Sequence, residues 1–141
     1  MPSYKNALLL DDDPIALMVC ERMIRISHFA ETCINFQNTA EALKFIAETP
    51  ADSPSYPDIL LIDLHMPFMD GFEFLQKINE LGARNGHFPD VYVLSSTVYA
   101  DDENRLNRFP FVKKIILKPL TPEHFDSDAA STHHQDIYAP L

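Results

Sequence analysis

Three short stretches of unbroken apolarity, Ala7 to Leu10, Ile59 to Ile62 and Val91 to Leu94, punctuate the chain, and each gives way at once to polar residues and then a longer segment. Cys33 to Phe36 and Ile115 to Leu117 are weaker versions of the same pattern. A strand with one wet face alternates apolar and polar residues; continuous apolarity means that both faces are covered, as in a parallel sheet flanked by helices. The intervening segments carry helix signals. Asp13 can cap a helix with Pro14 at its first position, and Ile15, Val19, Met23 and Ile26 recur along one face, which predicts a helix over residues 14–27. Asn38 stands three residues before Glu41 in a capping-box-like arrangement, with Ala42, Leu43 and Ile46 as the buried stripe of a second helix that Pro50 and Pro54 end. Asp70 opens a third helix, on which Phe74, Ile78 and Leu81 share a face and Gly82 is placed to supply the left-handed residue that closes it. Asp101 to Arg108 makes a short fourth. Thr121 to Phe125 suffices for one or two turns, after which the chain is small and polar, so a fifth helix is expected to be short or absent.

Strands alternating with helices predict a doubly wound α/β fold, a five-stranded parallel sheet in which the order 2-1-3-4-5 is among the commonest. Loops at the carboxyl ends of such strands emerge together into one crevice. Here strand one runs out into Asp11, Asp12 and Asp13, strand three into Asp63, strand four into Ser95 and Ser96, and strand five into Lys118. Carboxylates crowded at one edge repel one another unless a divalent cation neutralises them, and an all-oxygen set of this kind suits magnesium, which keeps several waters and takes one or two protein carboxylates. With Lys118 and a serine hydroxyl opposite, the edge has the make-up of a phosphoryl-transfer site.

Composition narrows the alternatives. The chain has 141 residues, read as one domain over 1–125 with a C-terminal tail over 126–141, and 46% hydrophobic with 23% charged residues fits a globular protein. Its longest apolar stretch, Ile15 to Cys20, is six residues, too short to span a bilayer, and the start lacks the features of a secretory signal, so no membrane association and a cytoplasmic location are expected. Eleven Lys and Arg against 21 Asp and Glu give a net charge of −10, which disfavours direct nucleic-acid binding. Cys20 and Cys33 match neither a disulfide framework nor a zinc spacing and read as buried thiols. The glycines form no phosphate-cradling loop, and Ile15 stands where a dehalogenase-type phosphatase would carry Thr or Val.

The segments LLLDDDP, DILLIDLHMPFMDGFEFL, VYVLSS and ILKPL resemble the four signatures of the receiver domain of two-component response regulators, over about residues 5–120. The resemblance implies a flavodoxin-like sheet and a stand-alone receiver that catalyses its own phosphorylation and slow dephosphorylation without being a turnover enzyme. Carried over by position, Asp63 is the phosphorylated aspartate, Asp11 and Asp12 the acidic pair, Ser95 the switch hydroxyl and Lys118 the lysine of that family. Magnesium would be held by Asp12, Asp63 and the backbone carbonyl of His65, with Asp11 acting through water. Side chains at His65 and Thr97 would flank the water that removes the phosphate. The implied partner is a histidine kinase or a histidine phosphotransfer protein, with a possible homodimer. At Ile115 the chain departs from the family, which usually places a rotating Tyr or Phe there, and residues 104–114 are compressed around Phe109, Pro110 and Phe111. The alternative reading is a receiver-like interaction module that does not depend on phosphorylation.

Overall fold

The five apolar runs become the strands of one parallel sheet in a computed structural model of the chain, which describes residues 3–64, 66, 70–95, 100–118 and 120–125. In chain order the elements are β1 (Tyr4–Leu10), α1 (Pro14–Ser27), β2 (Ala30–Phe36), α2 (Thr39–Glu48), β3 (Ile59–Asp63), α3 (Gly71–Asn85), β4 (Asp90–Ser95), α4 (Ala100–Leu106) and β5 (Val112–Leu117), followed by a 3₁₀ turn over Pro122–Phe125. The strand order is β2-β1-β3-β4-β5. The expected tail lies outside the described residues.

Unbroken apolarity in the strands has the cause inferred from the sequence. Leu8 and Leu10 enter a core with Ala42, Ile46, Phe74 and Ile78, while Ala7 and Leu9 enter a second core on the opposite face with Leu17, Cys20 and Ile24. All are buried, and each large side chain contributes about 1.5–3 kcal/mol by leaving water. β2, at the sheet edge, has no fully buried position, which explains its weaker signal. Cys33 accordingly is only half-buried, whereas Cys20 is buried as expected. Burial pushes the Cys20 thiol up to about 12 and raises Cys33 as well, so neither is a ready thiolate.

Helix boundaries follow the caps. The Asp13 carboxylate accepts from the Ile15 amide, Asn38 accepts from Glu41, and Asp70 accepts from Glu73. Two expectations need correction. The third helix does not close at Gly82: it continues to Asn85, and Gly86, at φ 75°, is the left-handed cap. At Gly82 the Phe88 ring packs so closely that an added Cβ would lie 2.3 Å from it, and the ring would have to move. In α1 the stripe through Ile15, Val19 and Ile26 faces outward; the inward face is Leu17, Cys20 and Ile24, offset by roughly half a turn. Ile15 is 65% exposed, Met18 63% and Ile26 58%. Among the described residues, no helix is long and apolar enough to cross a membrane.

Candidate functional site

Sheet register brings the strand ends to one level. Leu10 pairs with Ile62, Asp63 with Leu94, and Ser95 with Leu117, so the residues that follow β1, end β3 and β4 and follow β5 share one edge. Backbone bonds extend this alignment past the strands: the Leu64 amide donates to the Leu94 carbonyl at 2.9 Å and the Lys118 amide to the Ser95 carbonyl at 2.8 Å. Gly71 holds the far end of the loop that follows Asp63, its amide 2.7 Å from the Leu64 carbonyl. A Cβ on Gly71 would stand 2.8 Å from that same oxygen, so only glycine permits this approach.

At this edge carboxylate oxygens of Asp11, Asp12 and Asp63 lie within 4.8 Å of one another. Asp11 and Asp63 are buried and Asp12 is exposed. Lys118 reaches in from β5, its Nζ 3.1 Å from Asp11 Oδ2. Burial alone would lower the Lys118 ammonium, but the Asp11 hydrogen bond and the charges of Asp63, Asp11 and Asp13 outweigh it and raise it above its ordinary value. Lys118 is therefore a fixed cation at any neutral pH. The other Asp11 oxygen accepts from the Asp13 amide at 3.0 Å. Ser95 is fully buried at the end of β4.

An all-oxygen set with at least one exposed carboxylate and an adjacent cation for a bound anion fits a hard divalent ion. Asp11, with one oxygen on Lys118 and the other on a backbone amide, is engaged on both sides, whereas Asp12 stands open to solvent. The sequence-derived set is thus brought together at Asp11, Asp12, Asp63, Ser95 and Lys118. His65, Ser96 and Thr97 lie outside the described residues.

Two features escaped the sequence reading. Asp13, read as a helix cap and as one of the carboxylates at this edge, has a further role that the sequence did not give: it lends its amide to Asp11 and adds its charge to the field on Lys118. The outward apolar face of α1 was masked because the helix carries apolar residues on two faces. Ile115 is fully buried, in the same core as Leu106, Phe109 and Phe111.

Comparison with known proteins agrees with this geometry. The response regulator receiver domain family matches residues 7–129. The two-component response regulator ORR25 of Oryza sativa subsp. japonica is 34% identical over 77 residues, covering 55% of this chain and 10% of its own length. The chain thus spans about a tenth of that relative. Among solved structures, a two-component response regulator from Cytophaga hutchinsonii is similar with a TM-score of 0.75 and 25% identity, covering 84% of this chain and 89% of that one. The receiver domain of the histidine kinase CKI1 from Arabidopsis thaliana, complexed with Mg2+ and BeF3−, has a TM-score of 0.66 and 18% identity over 75% of this chain and 76% of that one. The receiver domain of Ssk1, in a co-crystal with the Saccharomyces cerevisiae phosphotransfer protein Ypd1, has a TM-score of 0.69 and 18% identity over 85% and 82%. With the family match spanning most of the chain and the strand order of the fold in place, the chain belongs to the response regulator receiver domains, the phosphoryl-accepting modules of two-component signalling.

Proposed function

We propose that Asp63 accepts a phosphoryl group from a phosphohistidine on a histidine kinase or histidine phosphotransfer protein. The observation that carries this reading is the meeting of three carboxylates within 4.8 Å beside the Lys118 ammonium. An Asp63 oxygen attacks phosphorus, the new P–O bond forms as the P–N bond breaks, and the bonding pair returns to the donor imidazole. Lys118 offsets charge on the transferred phosphoryl oxygens, and the Ser95 hydroxyl is placed at the end of β4 to donate to one of them. Asp12 and Asp63 would hold magnesium directly, with the His65 carbonyl as a further ligand and Asp11 through water. When bound, magnesium supplies the positive charge that lets these carboxylates and a phosphoryl group share one edge. Asp11 meanwhile keeps the Lys118 ammonium oriented through their 3.1 Å contact. Slow attack of water on phosphorus, releasing inorganic phosphate and the free carboxylate, resets the domain; this is self-catalysis rather than turnover of a substrate.

The donor has to bring its phosphohistidine in line with Asp63, so its surface must lie against the rim of the site. α1 starts at that rim, directly after Asp12 and Asp13, and presents Ile15, Met18 and Val19 to solvent. This apolar strip suits docking of a helical donor. The receiver module is read as residues 1–125, with 126–141 an appended tail.

Incubation with acetyl phosphate and magnesium, followed by intact-mass measurement, tests the reading. Wild type should gain one phosphoryl group and Asp63→Asn none. Equal labelling of both proteins would overturn it, and absence of labelling in wild type under donor and kinase alike would favour a module that works without phosphorylation.

A further inference from the structure

Two hollows of about 320 Å³ each share Asn79 of α3 as a common wall, one between α3 and α4 and the other between α3 and the starts of β4 and β5. The first is lined by Phe72 and Gln76 of α3 and by Arg105 and Arg108 from α4 and the turn after it. The second holds Phe88, Phe111 and Lys113, together with Asp90, whose carboxylate accepts from the Tyr4 hydroxyl at 2.6 Å. No residue of either hollow belongs to the phosphoacceptor site.

The charge here runs against the rest of the molecule. The chain has 11 Lys and Arg against 21 Asp and Glu, yet along this groove three cations, Arg105, Arg108 and Lys113, outnumber two carboxylates, Glu73 and Asp90. Arg105 and Arg108 are exposed, and among the described residues no carboxylate forms an ion pair with either, although Glu73 lines the same hollow. Arg105 is also held in place: its guanidinium carbon lies 3.5 Å from the centre of the Phe72 ring. Stacking occupies the face of the guanidinium and leaves its N–H fork at the edge, in the plane where a carboxylate binds. Gln76 and Asn79 add neutral donors and acceptors suited to a peptide backbone. Beyond Asn79 the character changes to apolar. Phe88 and Phe111 stack with centres 5.6 Å apart, and Phe88 stays 45% exposed.

We propose that this groove docks an extended acidic segment of a partner protein, its carboxylates on Arg105 and Arg108 and an apolar side chain in the Phe88–Phe111 hollow. Two hollows in line, basic and then apolar, suit a chain that advances about 3.3 Å per residue and carries different side chains in succession. A small anion would use only the arginine end. A nucleic acid would be repelled by the surrounding surface of a protein with net charge −10.

The test is fluorescence anisotropy of the full chain with a fluorescein-labelled synthetic peptide of alternating Asp and Glu followed by Phe and Leu. The peptide should bind saturably, and binding should weaken as salt rises. R105E/R108E should weaken it roughly tenfold or more, the loss of charge-assisted pairs, and F88A should weaken it several-fold with the salt dependence retained. Circular dichroism melts establish that the variants fold, and amide shifts in ¹⁵N-labelled protein should gather on residues 72–79 and 105–113. Three results would each overturn the proposal: no binding by wild type, equal binding of a peptide with Asn and Gln in place of Asp and Glu, or equal binding by R105E/R108E. Displacement by ATP at low concentration would overturn it in favour of a small-anion site.

Discussion

Lys118 and Asp11 come from opposite ends of the domain sequence, 107 residues apart, and meet with Nζ 3.1 Å from Oδ2. The contact closes the acidic edge from the β5 side. Because the second Asp11 oxygen is taken by the Asp13 amide, Asp11 is engaged on both sides and holds Lys118 in place, whereas the carboxylate of Asp12 stands open to solvent.

From that division of labour comes an order of magnesium affinities. If Asp12 is a direct ligand, as the proposed function has it, Asp12→Ala should weaken magnesium most. Asp11→Ala, acting through water and through Lys118, should cost less, about tenfold, the scale of outer-shell ligands. Lys118→Ala should leave magnesium binding near wild type and slow phosphorylation by a small phosphodonor. Calorimetric magnesium titration of the three variants, beside a phosphorylation time course, checks the order; a weaker affinity in Asp11→Ala than in Asp12→Ala would reverse the assignment.

Gly71→Ala should be disproportionately damaging for a methyl group. The added Cβ would meet the Leu64 backbone at 2.8 Å from its oxygen and 2.9 Å from its Cα, atoms that cannot step aside without moving the residue next to Asp63. A loss of about 1–3 kcal/mol is expected from overpacking, read by urea denaturation, together with slower phosphorylation. An unaltered midpoint and an unaltered rate would mean that the loop yields freely.

Much of this architecture was legible before any coordinates, and for identifiable reasons. Leu8, Leu9 and Leu10 are all buried because β1 is covered on both faces, and that double burial is what an unbroken apolar run reports. Asp11, Asp63 and Lys118 were legible because each is the first polar residue at or just past such a run. What was not legible had competing signals of equal strength. In α1 two apolar arcs, one through Ile15, Val19 and Ile26 and one through Leu17, Cys20 and Ile24, both satisfy helical periodicity, and only the packing against Leu9 and Leu61 decides between them. Gly82 and Gly86 both suit a helix end by residue type. The ring that packs against position 82 comes from Phe88, six residues later, which no local rule anticipates. The Arg105–Phe72 stack likewise joins two helices distant in sequence.

Restoring an aromatic ring at Ile115 should not restore the family's usual switch in this chain. Ile115 is fully buried with Leu106, Phe109 and Phe111 in contact with the same core, so a larger ring has no vacated space to enter. Ile115→Tyr is expected to destabilise by about 1–3 kcal/mol through overpacking, and Ile115→Val by about 0.5–1.5 kcal/mol through a lost methylene. Guanidinium denaturation measures both. If Ile115→Tyr instead proved neutral or stabilising, the region around Phe109 to Phe111 would have room for a rotating side chain after all.

The 3₁₀ turn after β5 should make the domain sensitive to mild acid. His124 Nδ1 accepts from the Thr121 amide at 3.0 Å, which requires that nitrogen to be unprotonated. Burial, and then the charge of Lys114, hold the imidazole below its ordinary value, with Glu123 opposing. A histidine that binds protons less readily when folded than when unfolded contributes stability that is complete above the unfolded value of about 6.5 and is lost as pH falls through the lower folded value. Protonation would break the turn's hydrogen bond, and the turn anchors Phe125, which is buried with its ring centre 5.3 Å from that of Phe29. Urea midpoints should therefore fall between about pH 7.5 and pH 5.5 more steeply in wild type than in His124→Gln, which keeps an acceptor but does not titrate. Every other group is the same in both proteins, so the difference in slope isolates His124. Parallel slopes would show that the imidazole takes up its proton within the turn without loosening it.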